Sequence, residues 1–130
     1  MRLLLDTHFV LWVAAQRHRL TAAEIILING AADLVISSAS LWELRLKWDR
    51  LHPSGARKGP VDPGDLLEAI LRGPYVLLAL TPEHAVTPLT VPLLHRDPFD
   101  ELLLAQAQAE GLRLLTRDRA LVGHPLAVTA

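Results

Sequence analysis

A chain of 130 residues, 51% apolar and 21% charged, reads as one domain over 1–130 that buries a core without disulfides or structural metal. It has no cysteine, which excludes zinc–thiolate centres, thiol nucleophiles and a disulfide framework and fits a reducing, cytoplasmic setting. A formal net charge of −1 excludes a generally basic nucleic-acid coat, so any such binding must use a local patch. No apolar run approaches the ~20 residues that cross a bilayer. Met1-Arg2 followed by three leucines and Asp6 does not have the form of a secretory leader.

Leu3-Leu4-Leu5 is a short apolar run ending at Asp6-Thr7-His8. Such a run suits a strand of a parallel sheet covered on both faces. Phe9 to Ala15 lacks breakers and reads as a helix. Thr21-Ala22-Ala23-Glu24 is a capping box opening a second helix to about Ile28, which Asn29-Gly30 ends. Leu34 to Ser37 is a second strand. Ser38-Ala39-Ser40-Leu41-Trp42-Glu43 starts a third helix, with Leu41, Leu44 and Trp48 on one side. Pro53, Gly55, Gly59, Pro60, Pro63 and Gly64 mark a loop over 52–64. Asp62-Pro63 is a cap followed by a proline at the first helical position, and a helix runs from there to about Leu71. Tyr75 to Leu80 is a third strand, and Thr81-Pro82 opens a short helix that stops near Pro88. Asp97-Pro98 repeats the cap-plus-proline signal, for a helix ending at Glu110-Gly111. Arg113 to Leu115 is a fourth strand, closed by Thr116-Arg117-Asp118. Leu126 to Thr129 forms a short strand at an edge. This alternation predicts an α/β fold with a mostly parallel sheet of four to five strands.

Sites in such sheets form beyond the carboxyl ends of the strands. Asp6 follows strand one and Asp118 follows strand four. Asp100 lies in the first turn of its helix with Leu103, Leu104 and Ala107 at helical spacing, on the apolar side. Glu43 is expected in the first turn of the third helix. If the strands are parallel, the four acids meet at one edge of the sheet. Like charges so placed repel, and a divalent cation removes the conflict. All-oxygen ligands favour Mg²⁺ or Mn²⁺ over zinc, and such a centre hydrolyses phosphodiesters. Thr7, Ser38 and Thr116 flank the acids and are candidates to orient them through hydrogen bonds. Each acid also has a structural reading. Asp6 and Asp118 fit turn positions, Ser40-x-x-Glu43 fits a capping box, and Asp97 fits a helix cap better than a metal ligand. The histidines show no metal-ligand spacing; His8 and His95 adjoin the acidic segments and are candidates to contact substrate, with a surface or packing role the preferred reading. Trp12, Trp42 and Trp48 are expected in the core or at a subunit interface rather than as base-stacking platforms. Arg45, Lys47, Arg50, Arg57 and Lys58 make 43–58 the most basic stretch. It is either a solvated helix face or a guide that brings a phosphate backbone towards the acids, through Arg45, Lys47 and Arg50.

Leu3-Leu4-Leu5-Asp6-Thr7-His8, Ser37 to Glu43, His95 to Ala107 and Leu114 to Asp118 together resemble the successive motifs of PIN domains. More narrowly they resemble VapC-type toxins of toxin–antitoxin pairs. The resemblance implies a three-layer α/β/α fold and a Mg²⁺- or Mn²⁺-dependent endoribonuclease. It also implies a homodimer held inactive by a small antitoxin protein. It carries the family's acid quartet onto Asp6, Glu43, Asp100 and Asp118, with Glu43 a ligand or a base. Asp97 belongs to a motif of one subgroup. Glu101 departs from that subgroup's usual basic residue, and the 52–64 loop is longer than usual. Two other classes remain: a PIN-fold module that binds RNA or a partner with little catalysis, and a haloacid-dehalogenase-type phosphohydrolase. The latter needs a second aspartate where His8 stands.

Overall fold

Three leucines make strand β1 (Arg2–Leu5) the centre of the molecule, because Leu3, Leu4 and Leu5 are all fully buried. The computed structural model describes residues 1–50, 54–55, 59–95 and 97–130. Within the 52–64 loop, residues 52, 53 and 56–58, including Arg57 and Lys58, lie outside the described residues, as does Arg96. The chain runs from β1 through α1 (Thr7–Ala15), a 3-10 turn (Arg17–Arg19) and α2 (Ala22–Asn29) to β2 (Asp33–Ser37). α3 (Ser38–Asp49) and α4 (Pro63–Arg72) lead to β3 (Tyr75–Leu78), and α5 (Pro82–Val86) and α6 (Pro98–Glu110) lead to β4 (Arg113–Leu115) and β5 (Ala127–Val128).

The sheet has five strands in the order β3-β2-β1-β4-β5, and every pairing is parallel. Side chains of a strand alternate between faces. Leu3, Leu5, Ile36 and Leu115 therefore join Phe9, Val10, Ile28, Leu66 and Ile70 on one face. Leu4, Val35 and Leu114 join Leu103, Leu104, Ala107 and Leu121 on the other. Helices α1, α2 and α4 cover the first face and α6 the second, so the three-layer expectation is met. α5 packs on α6, and α3 reaches both α1 and α6.

The helix ends follow their sequence signals. Thr21 and Glu24 form the expected capping box, and Asp62 and Asp97 cap prolines at the first helical position. Gly111 ends α6 in the left-handed conformation (φ 66°), which glycine adopts without a Cβ clash. α3 differs from the expectation. Its cap is Ser37, whose hydroxyl accepts from the Ala39 N–H at 3.1 Å. Ser40 is already inside the helix, so Ser40-x-x-Glu43 is not a capping box and Glu43 falls in the second turn.

Gln106 ties the layers together from a fully buried position on α6. Its side-chain oxygen accepts from the Ser37 hydroxyl. Its amide donates to the Ala79 carbonyl at 3.4 Å and faces His84 Nδ1 at 3.3 Å. His84 Nδ1 also accepts from the Thr81 N–H, which leaves its Nε2–H to donate to Glu110 at 3.0 Å. Gln106→Leu keeps most of the volume but strips Ser37 and Ala79 of a partner. It is expected to cost about 2 kcal/mol, read as a lower urea midpoint at unchanged slope. An unchanged midpoint would show that the network is not holding α6.

Candidate active site

β1 is the point at which the sheet changes direction. From β1 the chain moves outward to β2 and β3, then returns across the opposite face through α6 to β4. The crevice at such a switch lies beyond the carboxyl ends of the two central strands. Here those ends carry Asp6 and Thr116-Arg117-Asp118, joined where the Asp6 N–H donates to the Leu115 carbonyl at 3.1 Å.

Asp6 caps α1, and one oxygen accepts from the Phe9 N–H at 3.1 Å. The other accepts from the Thr116 hydroxyl at 2.6 Å. The same hydroxyl accepts from the Asp118 N–H at 3.0 Å, so Thr116 bridges the two aspartates. Burial pushes the Asp6 carboxyl above the usual range, against the opposing pull of Thr116, Phe9 and His8. Asp118 is exposed, and its Oδ1 accepts from the Ala120 N–H at 2.9 Å in a tight turn.

Asp100 enters from α6. His95 Nε2 meets its Oδ2 at 2.9 Å. Its carboxyl is also raised, first by burial and then by the negative charges of Asp97 and Asp118, against the hydrogen bond and charge of His95. Asp97 accepts from the N–H groups of Phe99 (2.9 Å) and Asp100 (3.4 Å), so it acts as the cap expected of it. Glu43 enters from α3. Its Oε1 accepts from the Thr7 hydroxyl at 2.6 Å, and Lys47 pairs with its Oε2 at 3.2 Å. Thr7 lies 3.1 Å from the buried Ser40 hydroxyl.

The structure thus links Asp6 to Asp118 through Thr116 and Asp100 to Asp118 through their charges. It brings Glu43 to Thr7, next to Asp6. Among the described residues, no group of three or more His, Asp or Glu side chains is set to hold a metal ion together. The donor chemistry nonetheless fits a hard cation. It is all oxygen, and Asp6 and Asp100 carry raised carboxyls that a positive charge would relieve.

Other expected contributors fall differently. Ser38 is exposed at the first position of α3, whereas the neighbouring Ser37 and Ser40 are buried. Arg45 pairs with Asp49 at 3.3 Å and Lys47 with Glu43, so two of the three candidate RNA-binding cations have partners within α3. Arg50 caps the end of that helix. Trp42 is 55% exposed and packs edge-to-face on Phe99 beside Asp100. Two contacts had no sequence signal, His95 on Asp100 and Arg117 on Glu24. Arg117 Nη2 donates to both Glu24 oxygens, at 2.6 and 2.9 Å, and to the Arg19 carbonyl at 2.9 Å. The capping box explained Glu24 without a tertiary partner, and nothing local indicated one.

A five-stranded parallel sheet, helices on both faces and acids at the central switch point define a class of α/β proteins whose sites are edged by carboxylates. The sequence profile of the PIN domain matches residues 3–123, and the chain belongs to the PIN domain family. It is 30% identical over 122 residues to ribonuclease VapC22 of Mycobacterium tuberculosis (strain ATCC 25618 / H37Rv), covering 93% of this chain and 90% of that protein. Its fold is similar to chains in two solved structures. One is VapBC2 from Rickettsia felis bound to a DNA fragment from their promoter (TM-score 0.64, 15% identity, 100% of this chain and 98% of that one). The other is a toxin–antitoxin complex from Klebsiella pneumoniae (TM-score 0.63, 19% identity, 97% of this chain and 95% of that one). The family resemblance carried by the motifs is borne out.

Proposed function

We infer that this protein is a metal-dependent endoribonuclease acting as the toxin of a toxin–antitoxin pair. The observation that carries the reading is geometric: at the β1–β4 switch point the Thr116 hydroxyl joins Asp6 to Asp118, at 2.6 and 3.0 Å, and Asp100 lies near enough for the charge of Asp118 to act on it. Membership of the PIN family and likeness to a ribonuclease support it.

Asp6, Asp100 and Asp118 would hold a Mg²⁺ or Mn²⁺ ion, with Glu43 a fourth ligand or a base. When bound, the ion supplies positive charge to a phosphodiester and makes a nearby water more acidic. The chain's own groups set the geometry. Thr116 and the Phe9 N–H fix the Asp6 carboxylate, His95 orients Asp100, and Thr7 and Lys47 hold Glu43. In hydrolysis the water oxygen bonds to phosphorus, the bond to one ribose oxygen breaks, and that oxygen leaves with a proton. As a base, Glu43 would take the proton from the water. Arg45, Lys47 and Arg50 would steer the RNA backbone. A small antitoxin protein and a second copy of this chain are the partners that follow, and Trp42 with Phe99 offers them an apolar contact. No described helix is long and apolar enough to cross a membrane.

The test is cleavage of single-stranded RNA by the purified protein. Cleavage with Mn²⁺ that stops on chelation and is lost in Asp118→Asn supports the reading. RNA binding without cleavage, unchanged in that variant, would replace it with the binding module. Growth arrest on expression, relieved by co-expressing the product of an adjacent short reading frame, tests the toxin role.

A further inference from the structure

Beside the acids lies an exposed ring, that of His8. His8 is exposed in the first turn of α1, two residues after Asp6. One turn later Trp12 lies against it, with ring centroids 5.7 Å apart and planes only 27° from parallel. Trp12 itself is clamped. Phe9 meets it edge-on at 5.1 Å, and the Arg117 guanidinium lies 4.1 Å over its ring. Arg117 is fixed in turn by the buried Glu24 and the Arg19 carbonyl. Trp12 is thus held by Phe9 and Arg117, and His8 is the exposed ring that lies against it.

Three facts point the same way. A ring already held flat against a neighbour loses little freedom when another ring settles on it. Position ties His8 to the reacting edge, since it stands two residues after Asp6 and its neighbours in sequence, Thr7 and Phe9, contact Glu43 and Asp6. Unpaired RNA bases are bound chiefly by stacking on aromatic side chains and guanidinium planes. We propose that His8 is a substrate-contacting residue, the open end of a His8–Trp12–Arg117 platform on which one unpaired RNA base stacks beside the bond to be cut. This rests on the ribonuclease reading of the site.

The experiment avoids both cation and turnover. The full-length protein is titrated with adenosine and, separately, with ribose in the presence of chelator, and the His8 ring protons are followed by NMR. Adenosine is expected to move them upfield by its ring current, and ribose to leave them in place. His8→Ala is expected to weaken adenosine binding about tenfold, and His8→Phe to restore it to within about twofold. Equal responses to adenosine and ribose, no response to either, or undiminished binding by His8→Ala would each overturn the platform. The two readings fail separately. A protein that cleaves RNA but shows no adenosine-specific shift lacks the platform. One that stacks adenosine through His8 but cleaves nothing with Mn²⁺ lacks the nuclease.

Discussion

Asp100→Asn is expected to lose RNA cleavage by about a thousandfold and, without divalent cation, to melt higher than the wild type at pH 7. The two effects have one cause. Burial, with Asp97 and Asp118 nearby, raises the Asp100 carboxyl above its ordinary value of 3.8. The folded chain therefore holds that proton more tightly than the unfolded chain does. Stability falls as pH rises from 3.8 through the raised value, and at pH 7 the ionised group works fully against the fold. Asparagine removes the charge and keeps a polar partner for His95. A higher melting temperature is therefore expected of the variant. The gap should close as the pH is lowered towards 3.8, where the unfolded carboxyl also takes up its proton. Mn²⁺ should reverse the order, because it stabilises the protein that binds it better. Thermal melts in chelator and in Mn²⁺, at neutral and acid pH, separate these cases. A variant that melts lower at every pH would make Asp100 a structural anchor. Activity follows the same groups with the opposite sense. Protons compete with the cation for Asp6 and Asp100, so acid should weaken cation binding and, with it, cleavage.

Arg117→Ala is expected to be the most destabilising single change at the site's edge, at about 3 kcal/mol or roughly a 10 °C lower melting temperature. Glu24 is 5% exposed, so its carboxylate relies on the guanidinium for most of its compensation. Removing Arg117 leaves that charge buried, frees the Arg19 carbonyl and uncovers Trp12. Lysine does not substitute well, since a point charge has neither the forked donors nor the flat face. Removing both charges, in Arg117→Ala with Glu24→Leu, should recover part of the loss, because the cost lies in the stranded carboxylate. A loss below about 0.5 kcal/mol in Arg117→Ala would mean that water replaces the guanidinium at no cost. Arg117 stands between Thr116 and Asp118, so the same contact that anchors α2 also sets the end of β4 at the site.

Most of the architecture was legible because local signals agreed with the global pattern. The leucine run of β1, the cap-plus-proline pairs at Asp62 and Asp97, and the Thr21–Glu24 capping box are local chemistry, and the fold uses each of them as read. The misreading at α3 has a physical reason. Ser37, Ser38 and Ser40 are all competent caps. Ser37 takes the cap while its hydroxyl donates to the buried Gln106, so Glu43 falls in the second turn.

The site divides in the same way. That Asp97 caps a helix and Asp100 lies on its apolar side followed from spacing along one helix, and the division of roles between them still rests on it. Which groups face each acid did not follow. Thr116 bridging Asp6 to Asp118, His95 on Asp100, Thr7 on Glu43 and Arg117 on Glu24 join segments that are separate in sequence or turn on how a short loop folds back. Sequence alone determined the elements, their order and which residues could carry the chemistry, because caps, periodicity and residue type act within a turn or a strand. Tertiary structure alone decided which charge meets which partner and how deeply each is buried. Those quantities depend on distances between elements, and they set the raised carboxyls of Asp6 and Asp100.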